Sequence, residues 1–400
     1  MRSGWRIGTL FGIPVFLDLS WFFILLLFTW GYGAGLEREG WESGQAWLIG
    51  FVMTVLLFVS VLLHELGHSL VARSQGIKVN SITLFLFGGI ASIDQESKTP
   101  GQAFQVAIAG PAVSFFLFVL LLPLSFVTPA ESSARLVLNQ LAGINLVLAI
   151  FNMIPGLPLD GGQVLKAAVW KLTGSRVKGV RWAARSGQLL GWGAIIFGVT
   201  GFLTTFFSGG LWIALLGWFG LRNASAYNQI TDIQEALTRL NAAAAMTREF
   251  RVVDAGMTLR QFADDYLLSD TAQSVVYYAS SDGRYRGLVA PEDLREIERS
   301  LWDKQVLHDI VHPLTDIPSV AEATSLAEVI NQMETQTIRR ITVLSPAGAV
   351  AGVIDRGDIV KALAEKLNIP VPDALIKQIK EEGAYPPGLQ LPAIAKAVTE

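Results

Sequence analysis

Five residues at the end of a long apolar stretch, His64-Glu65-Leu66-Gly67-His68, have the types and spacing needed for metal-dependent hydrolysis. Residues i and i+4 of a helix share a face, so His64 and His68 can hold one divalent ion between them. Glu65 stands beside them, as a general base for water on that ion should. No charged residue lies between Ser43 and Leu63 ahead of the motif. Ionisable groups at membrane depth are costly and are kept there mainly for function. Two histidines on one helix also serve as ordinary polar partners inside a bundle, and the five residues alone leave that reading open. His308 and His312 repeat the spacing in polar surroundings, with no Glu at the second position, and read as a solvated pair.

A catalytic zinc ion usually takes three protein ligands and keeps one position open, so the motif needs a third group. The chain has no cysteine, which excludes thiolate sites and disulfides and leaves histidine or carboxylate. The strongest candidate is Asp160, which ends the uncharged run 136–159 and is surrounded by Pro155, Pro158, Gly161 and Gly162. Prolines and glycines break a helix there, and a broken helix can aim a side chain inward. An interfacial aspartate capping a helix that starts at Gly161 explains the same residue equally well. Asp18, at the mouth of the first apolar stretch, reads as interfacial.

These residues sit in a chain of two different halves. Hydrophobic residues make up 51% of the 400 and mean hydropathy is +0.44, too apolar for an average soluble protein. Residues 1–230 carry net charge +5 and residues 231–400 net −8, so the front reads as membrane and the back as an acidic soluble part with no nucleic-acid footprint. Arg2 and Arg6 ahead of an apolar stretch resemble a signal peptide, but no small-residue cleavage site follows, and the stretch is expected to be retained. A spanning helix needs about 20 mostly apolar residues. Leu19–Leu36, Ser43–Leu63 continuing through the histidine motif, Thr99–Ala130 and Leu136–Leu159 meet or approach that length, and Ser186–Leu221 is long enough for two helices with a turn at Ser208–Gly210. The expectation is about six spans. Ile82–Ala91 is too short to cross and is rich in β-branched and aromatic residues, as in a buried strand or re-entrant edge.

Basic residues accumulate on the cytoplasmic side of membrane proteins. Arg73, Lys78 and Lys98 lie between the second and third spans, and Lys166, Lys171, Arg176, Lys178, Arg181 and Arg185 between the fourth and fifth, whereas Glu37, Glu39 and Glu42 follow the first. Both termini and the soluble half are therefore expected in the cytoplasm of an inner-membrane, multi-pass protein. Beyond Arg222 the pattern turns to short strands and amphipathic helices, and it repeats. Gly287–Leu294 (GLVAPEDL) and Gly352–Ile359 (GVIDRGDI) lie 65 residues apart, each after a strand-like run (Ser274–Tyr278, Arg340–Leu344) and a small turn.

The histidine motif in one span, followed by Asn152, Pro155, Pro158, Asp160, Gly161 and Gly162 in a later one, resembles the site-2 protease family of intramembrane zinc metalloproteases. Within that family it looks like the bacterial and archaeal branch with C-terminal cystathionine-β-synthase-type (CBS) domains. Gly88-Gly89 and Ala109-Gly110-Pro111 match further positions of that family. The resemblance implies a polytopic α-helical membrane protein followed by a soluble α/β tandem CBS domain. Its parts would be a transmembrane metalloprotease domain at 1–225, a linker at 226–245 and CBS repeats at 246–302 and 303–366. The prolines of the remaining segment read as a weakly ordered C-terminal extension at 367–400, in which Ala374–Glu382 could form a helix.

Carried onto this sequence, it implies one Zn2+ per chain bound by His64, His68 and Asp160, catalysis by Glu65, and Asn152 holding the substrate or the developing oxyanion. Asn145 reads better as an interhelical hydrogen-bonding residue. The substrate implied is a transmembrane protein, such as an anti-sigma factor or signal-peptide remnant. The segment Ile82–Ala91 is the place for such a substrate to dock in extended form, as an added strand, although a hairpin packed against the bundle explains the same residues. CBS pairs of the family bind adenine nucleotides or dimerise. The acids Asp293 and Asp358 stand at the ribose positions here, but Ala290 and Asp355 replace the phosphate-contacting hydroxyls. Adenosine therefore fits better than ATP, and a homodimerising module fits as well. The alternatives outside this class are a CBS-regulated transporter or channel and a catalytically silent membrane scaffold.

Overall fold

The computed structural model of the chain describes residues 4–86, 88–205, 209–268, 276–386 and 388–399. The chain divides into two compact units, Met1–Thr231 and Asp232–Glu400.

The first unit opens with two short strands, β1 (Trp5–Leu10) and β2 (Ile13–Leu17), reversed through Phe11 and Gly12, both with φ above +45°. The first span begins at Leu19, as expected, with α1 (Leu19–Arg38), where Asp18 caps the helix by accepting from the Ser20 backbone N–H at 3.0 Å. Next come α2 (Ser43–Ser74), the hairpin β3 (Val79–Phe85) and β4 (Gly88–Ile93), α3 (Pro100–Val127), α4 (Ser133–Asn152), α5 (Asp160–Thr173), α6 (Arg176–Thr205) and α7 (Gly209–Arg239). Among the described residues, α1, α2, α3, α4 and α6 are long and apolar enough to cross a membrane. The expected sixth span corresponds to the first part of α7. Its apolar stretch stops at Arg222 while the helix continues to Arg239, so the long 226–245 linker is mostly helix. Ser208, where the turn before α7 was expected to begin, lies outside the described residues. The basic stretch between the fourth and fifth spans is likewise helical, on α5 and the first turns of α6.

The four strands form one sheet in the order β1-β2-β3-β4, with β2 and β3 parallel and the other pairs antiparallel. Along β2, Ile13, Val15 and Leu17 are buried and alternate with half-buried Pro14 and Phe16, the period-2 pattern of a strand with one covered face. Ile13, Val79 and Ile82 pack with Leu66 and Ala72 of α2. The sheet thereby lies against the α2 segment that carries the histidines, with β4 as its edge. Between α2 and α4, the buried Asn145 amide donates to Ser60 Oγ and to the Leu141 carbonyl, each at 2.9 Å, which is the interhelical role expected of it.

The second unit contains two modules of the same strand–helix–strand–strand order. After α8 (Ala242–Ala245), the first has β5 (Phe250–Asp254), α9 (Leu259–Phe262), β6 (Val276–Ser281) and β7 (Arg284–Val289), extended by β8 (His312–Pro313). The second has β9 (Ser319–Ala321), α10 (Leu326–Thr335), β10 (Arg340–Leu344), β11 (Val350–Asp355) and α11 (Arg356–Leu367). In each, the first two strands are parallel and the last two antiparallel. Residues 274 and 275 of the strand expected at Ser274–Tyr278 lie outside the described residues. The modules meet where Tyr278 Oη and Thr342 Oγ1 stand 2.8 Å apart in a buried contact.

The C-terminal segment is not a loose extension. It forms α12 (Asp373–Glu382) and α13 (Leu391–Thr399), and Ile379, Leu391 and Ala395 are buried in one core with Leu326, Ile330, Met333 and Ile341. On α12, Lys380 Nζ lies 2.7 Å from Asp358 Oδ1, 2.9 Å from Glu249 Oε2 and 3.8 Å from Asp355 Oδ2. Asp355 and Asp358 also accept each other's backbone N–H at the start of α11. Burial, with Asp355 alongside and against the pull of Lys380, pushes Asp358 up to about 6. Because this value lies above that of an unfolded aspartate, about 3.9, the group's contribution to stability is complete below about pH 4 and is lost as pH rises through about 6. We expect Lys380→Met to destabilise the 232–400 unit by about 1–3 kcal/mol at pH 8 in urea unfolding. The loss should shrink below about pH 6, where Asp358 takes up a proton.

Candidate active site

The α2 helix runs unbroken through its apolar stretch into the histidine motif, which puts His64 and His68 on one face with ring centroids 5.0 Å apart. Their Nε2 atoms converge to 3.3 Å. Asp160 arrives from the other side. The α4 helix stops at Asn152, and the turn that follows is clamped by buried Leu157, whose N–H donates to the Ala183 carbonyl of α6 at 3.1 Å. A Cβ on Gly161 or Gly162 would run into the backbone of 153–157, so only glycines allow α5 to start this close to the turn. Asp160 is the first residue of α5, and its side chain does not cap the helix. Its Oδ2 lies 3.0 Å from His64 Nε2 and 3.3 Å from His68 Nε2.

The far side of each imidazole is also held. His68 Nδ1 donates to the Val106 carbonyl at 2.6 Å, and His64 Nδ1 lies 2.9 Å from Ser114 Oγ. With protons on Nδ1, both Nε2 lone pairs face the Asp160 carboxylate. Three electron-pair donors this close repel one another unless a cation, a proton or a metal ion, lies among them. The spacing suits a metal ion, since ligand atoms about 2.0–2.1 Å from a tetrahedral zinc stand about 3.3 Å apart. His64 and His68 are buried, and the carboxylate side chain of Asp160 is 19% exposed. Gly110 of α3 leaves the space in front of the donors. A Cβ there would overlap His68 Nε2 and stand 2.6 Å from His64 Nε2. The donor set, its spacing and this gap fit zinc, and His64, His68 and Asp160 are the residues that could hold it.

Glu65 points to the neighbouring strand. Its side-chain carbons touch Gly89 of β4, where a Cβ would collide with them, and its carboxyl meets the backbone at Ala91. The edge strand and the candidate base are therefore in contact. The segment after β4 is tied down in turn, because Glu96 Oε2 accepts from Lys166 Nζ of α5 at 3.2 Å and from Arg176 Nη2 of α6 at 2.7 Å. Asn152 ends α4 with its amide donating to the Leu148 carbonyl at 3.1 Å, and no described hydrogen bond joins it to the donor cluster. His312 pairs instead with Asp293, at 2.7 Å, on the exposed surface of the second unit. Val106 and Ser114 carry no signal of these contacts in the sequence, and Lys166 shows there only as one of the basic residues of its connection. A backbone carbonyl leaves no trace in sequence, and a serine within an apolar helix is an ordinary packing residue.

Comparison with known proteins agrees with this geometry. The model of peptidase family M50 matches residues 52–134 and 123–193, and that of the CBS domain matches 307–365. A protein of Synechocystis sp. assigned as a zinc metalloprotease, sll0528, is 41% identical over 364 residues, covering 91% of this chain and 96% of its own. The Mycobacterium tuberculosis protein Rip3, assigned to the same activity, is 32% identical and covers 91% and 93%. Among solved structures, the site-2 protease from Methanocaldococcus jannaschii is 32% identical, covers 56% of this chain and 95% of its own, and superposes with a TM-score of 0.43. With identity of this extent, the chain belongs to peptidase family M50 and is a multi-pass membrane zinc metalloprotease of the site-2 protease type that carries a CBS domain.

Proposed function

We propose that the protein is an intramembrane endopeptidase that cleaves a transmembrane protein, with His64, His68 and Asp160 as zinc ligands and Glu65 as the catalytic base. The observation that carries this reading is the convergence of three donor atoms to 3.0–3.3 Å, two of them on α2, a helix long enough to cross a membrane, and the third at the start of α5. When bound, zinc supplies Lewis acidity, which polarises a scissile carbonyl and lets water ionise near neutral pH. The Glu65 carboxylate takes the proton of the attacking water and delivers it to the leaving amine nitrogen. The edge strand β4, in contact with Glu65 through Gly89, offers unpaired backbone groups to an unwound substrate segment and aligns it as an added strand. Asn152 is assigned to hydrogen-bond that segment, turning its amide away from Leu148. The burial of the histidines keeps bulk water from competing.

The substrate class is a single-span membrane protein such as an anti-sigma factor or a signal-peptide remnant. The termini and the soluble unit are assigned to the cytoplasm of a bacterial or archaeal inner membrane, on the strength of the basic connections around α5 and α6 and the acidic loop after α1. For the second unit, assigned as a CBS pair over 246–302 and 303–366, the pairing of Lys380 with Asp355 and Asp358 favours homodimerisation over adenine-nucleotide sensing. The acids assigned to ribose and phosphate in the second repeat already have an internal cation.

Glu65→Gln is expected to keep stoichiometric zinc and to lose cleavage of single-span substrates in detergent by about 10²–10⁴-fold. Retained cleavage would exclude Glu65 as the base. Gly110→Ala should separate the imidazoles and cut zinc occupancy at least about tenfold, read by metal analysis of the purified protein. The native chain has no cysteine, so single cysteines at Glu39 and Lys178 report orientation directly. An impermeant maleimide added to intact cells should label the first and spare the second.

A further inference from the structure

We propose that Ser114 orients His64 for metal binding, as one member of a template on α3 whose other members are the Val106 carbonyl and the bare backbone of Gly110. This inference rests on the reading of His64 and His68 as zinc ligands. Val106, Gly110 and Ser114 are spaced four apart, which aligns them along one face of α3. The histidines on α2 have the same spacing, and the two faces meet in register. Val106 accepts from His68 Nδ1, Ser114 meets His64 Nδ1, and Gly110 lies between them, opposite both Nε2 atoms. The helices come this close because Gly67 lies against Ala109 and Val113, where a Cβ would stand 2.9 Å from the Ala109 carbonyl oxygen and from Val113 Cγ2.

Ser114 is completely buried in the apolar sequence Pro111–Phe118. A hydroxyl in such surroundings is costly unless it is hydrogen-bonded, and Oγ lies 2.9 Å from His64 Nδ1. With its Nδ1 proton donated to Oγ, His64 keeps the Nε2 lone pair aimed at Asp160 and His68. Without the hydroxyl, the ring can turn over or exchange tautomers, and the first change points a C–H, the second an N–H, at the place where the ion should bind. His68 needs no such side chain because a main-chain carbonyl does the same for it. The two ligands are therefore oriented by different means, and only one of them can be tested by a side-chain substitution.

The test measures zinc affinity by chelator competition, and cobalt visible absorption, on full-length wild type, Ser114→Ala, Ser114→Thr and His64→Ala in detergent. Partners of metal-bound histidines are worth about 10–100-fold in affinity. We expect Ser114→Ala to bind zinc more weakly by that factor with an altered cobalt spectrum, and Ser114→Thr, which keeps the hydroxyl, to stay near wild type. If His64→Ala loses metal while Ser114→Ala matches wild type in affinity and spectrum, the ligand reading stands and the role of Ser114 is overturned. Equal losses in the Ala and Thr variants overturn it too, since side-chain size would then be the cause. If His64→Ala binds zinc as tightly as wild type, the ligand reading falls and the inference falls with it.

Discussion

Everything in the membrane unit depends on one electrostatic constraint, which is that two imidazole nitrogens and a carboxylate oxygen are held 3.0–3.3 Å apart away from water. Brought together in a low-dielectric interior, these groups are mutually repulsive and strongly desolvated. A divalent cation turns the same arrangement into a favourable one, because each lone pair then points at positive charge. The fold meets the cost of assembly with structure on every side of the cluster. α2 supplies the two histidines at helical spacing, α3 backs them, the sheet presses on the opposite side, and the clamped turn before α5 delivers Asp160.

Close backbone approach is the means by which this is done. Gly67, Gly89, Gly110, Gly161 and Gly162 all stand where a side chain would strike a neighbouring helix, strand or ligand. In a bilayer, helices associate by close packing and hydrogen bonds rather than by hydrophobic exclusion, so small residues at these points determine how near the elements come. The ion-pair group of Glu96, Lys166 and Arg176 then fixes the segment after β4 to α5 and α6. The elements bearing Gly89, against the candidate base, and Asp160 are thereby linked by a contact outside the donor cluster.

Much of the site was legible in the sequence because ionisable residues in an apolar stretch stand out, as His64, Glu65, His68 and Asp160 do. The supporting contacts were not. Val106 acts through its carbonyl, and Ser114 acquires a partner only when α2 and α3 pack in register. The strands β1 and β2 were hidden in a stretch that reads as the approach to a span, with Gly8 and Pro14 obscuring its period-2 pattern. The packing of the C-terminal helices was hidden for a related reason. Prolines at 370, 372, 386 and 387 looked like the mark of a loose tail, whereas Ile379, Leu391 and Ala395 have the spacing of buried helix faces, and Lys380 meets acids far away in sequence. Contacts between residues distant in the chain leave little local signal.

The central claim is that His64, His68 and Asp160 together hold one zinc ion. X-ray absorption at the zinc edge of the purified protein tests it most directly, because two imidazoles and oxygen donors give a distinctive scattering pattern. The predicted result is one zinc per chain with a first shell of nitrogen and oxygen at about 2.0–2.1 Å and outer-shell scattering from two imidazoles. A shell with one imidazole or none, or protein that binds no zinc at all, would contradict it.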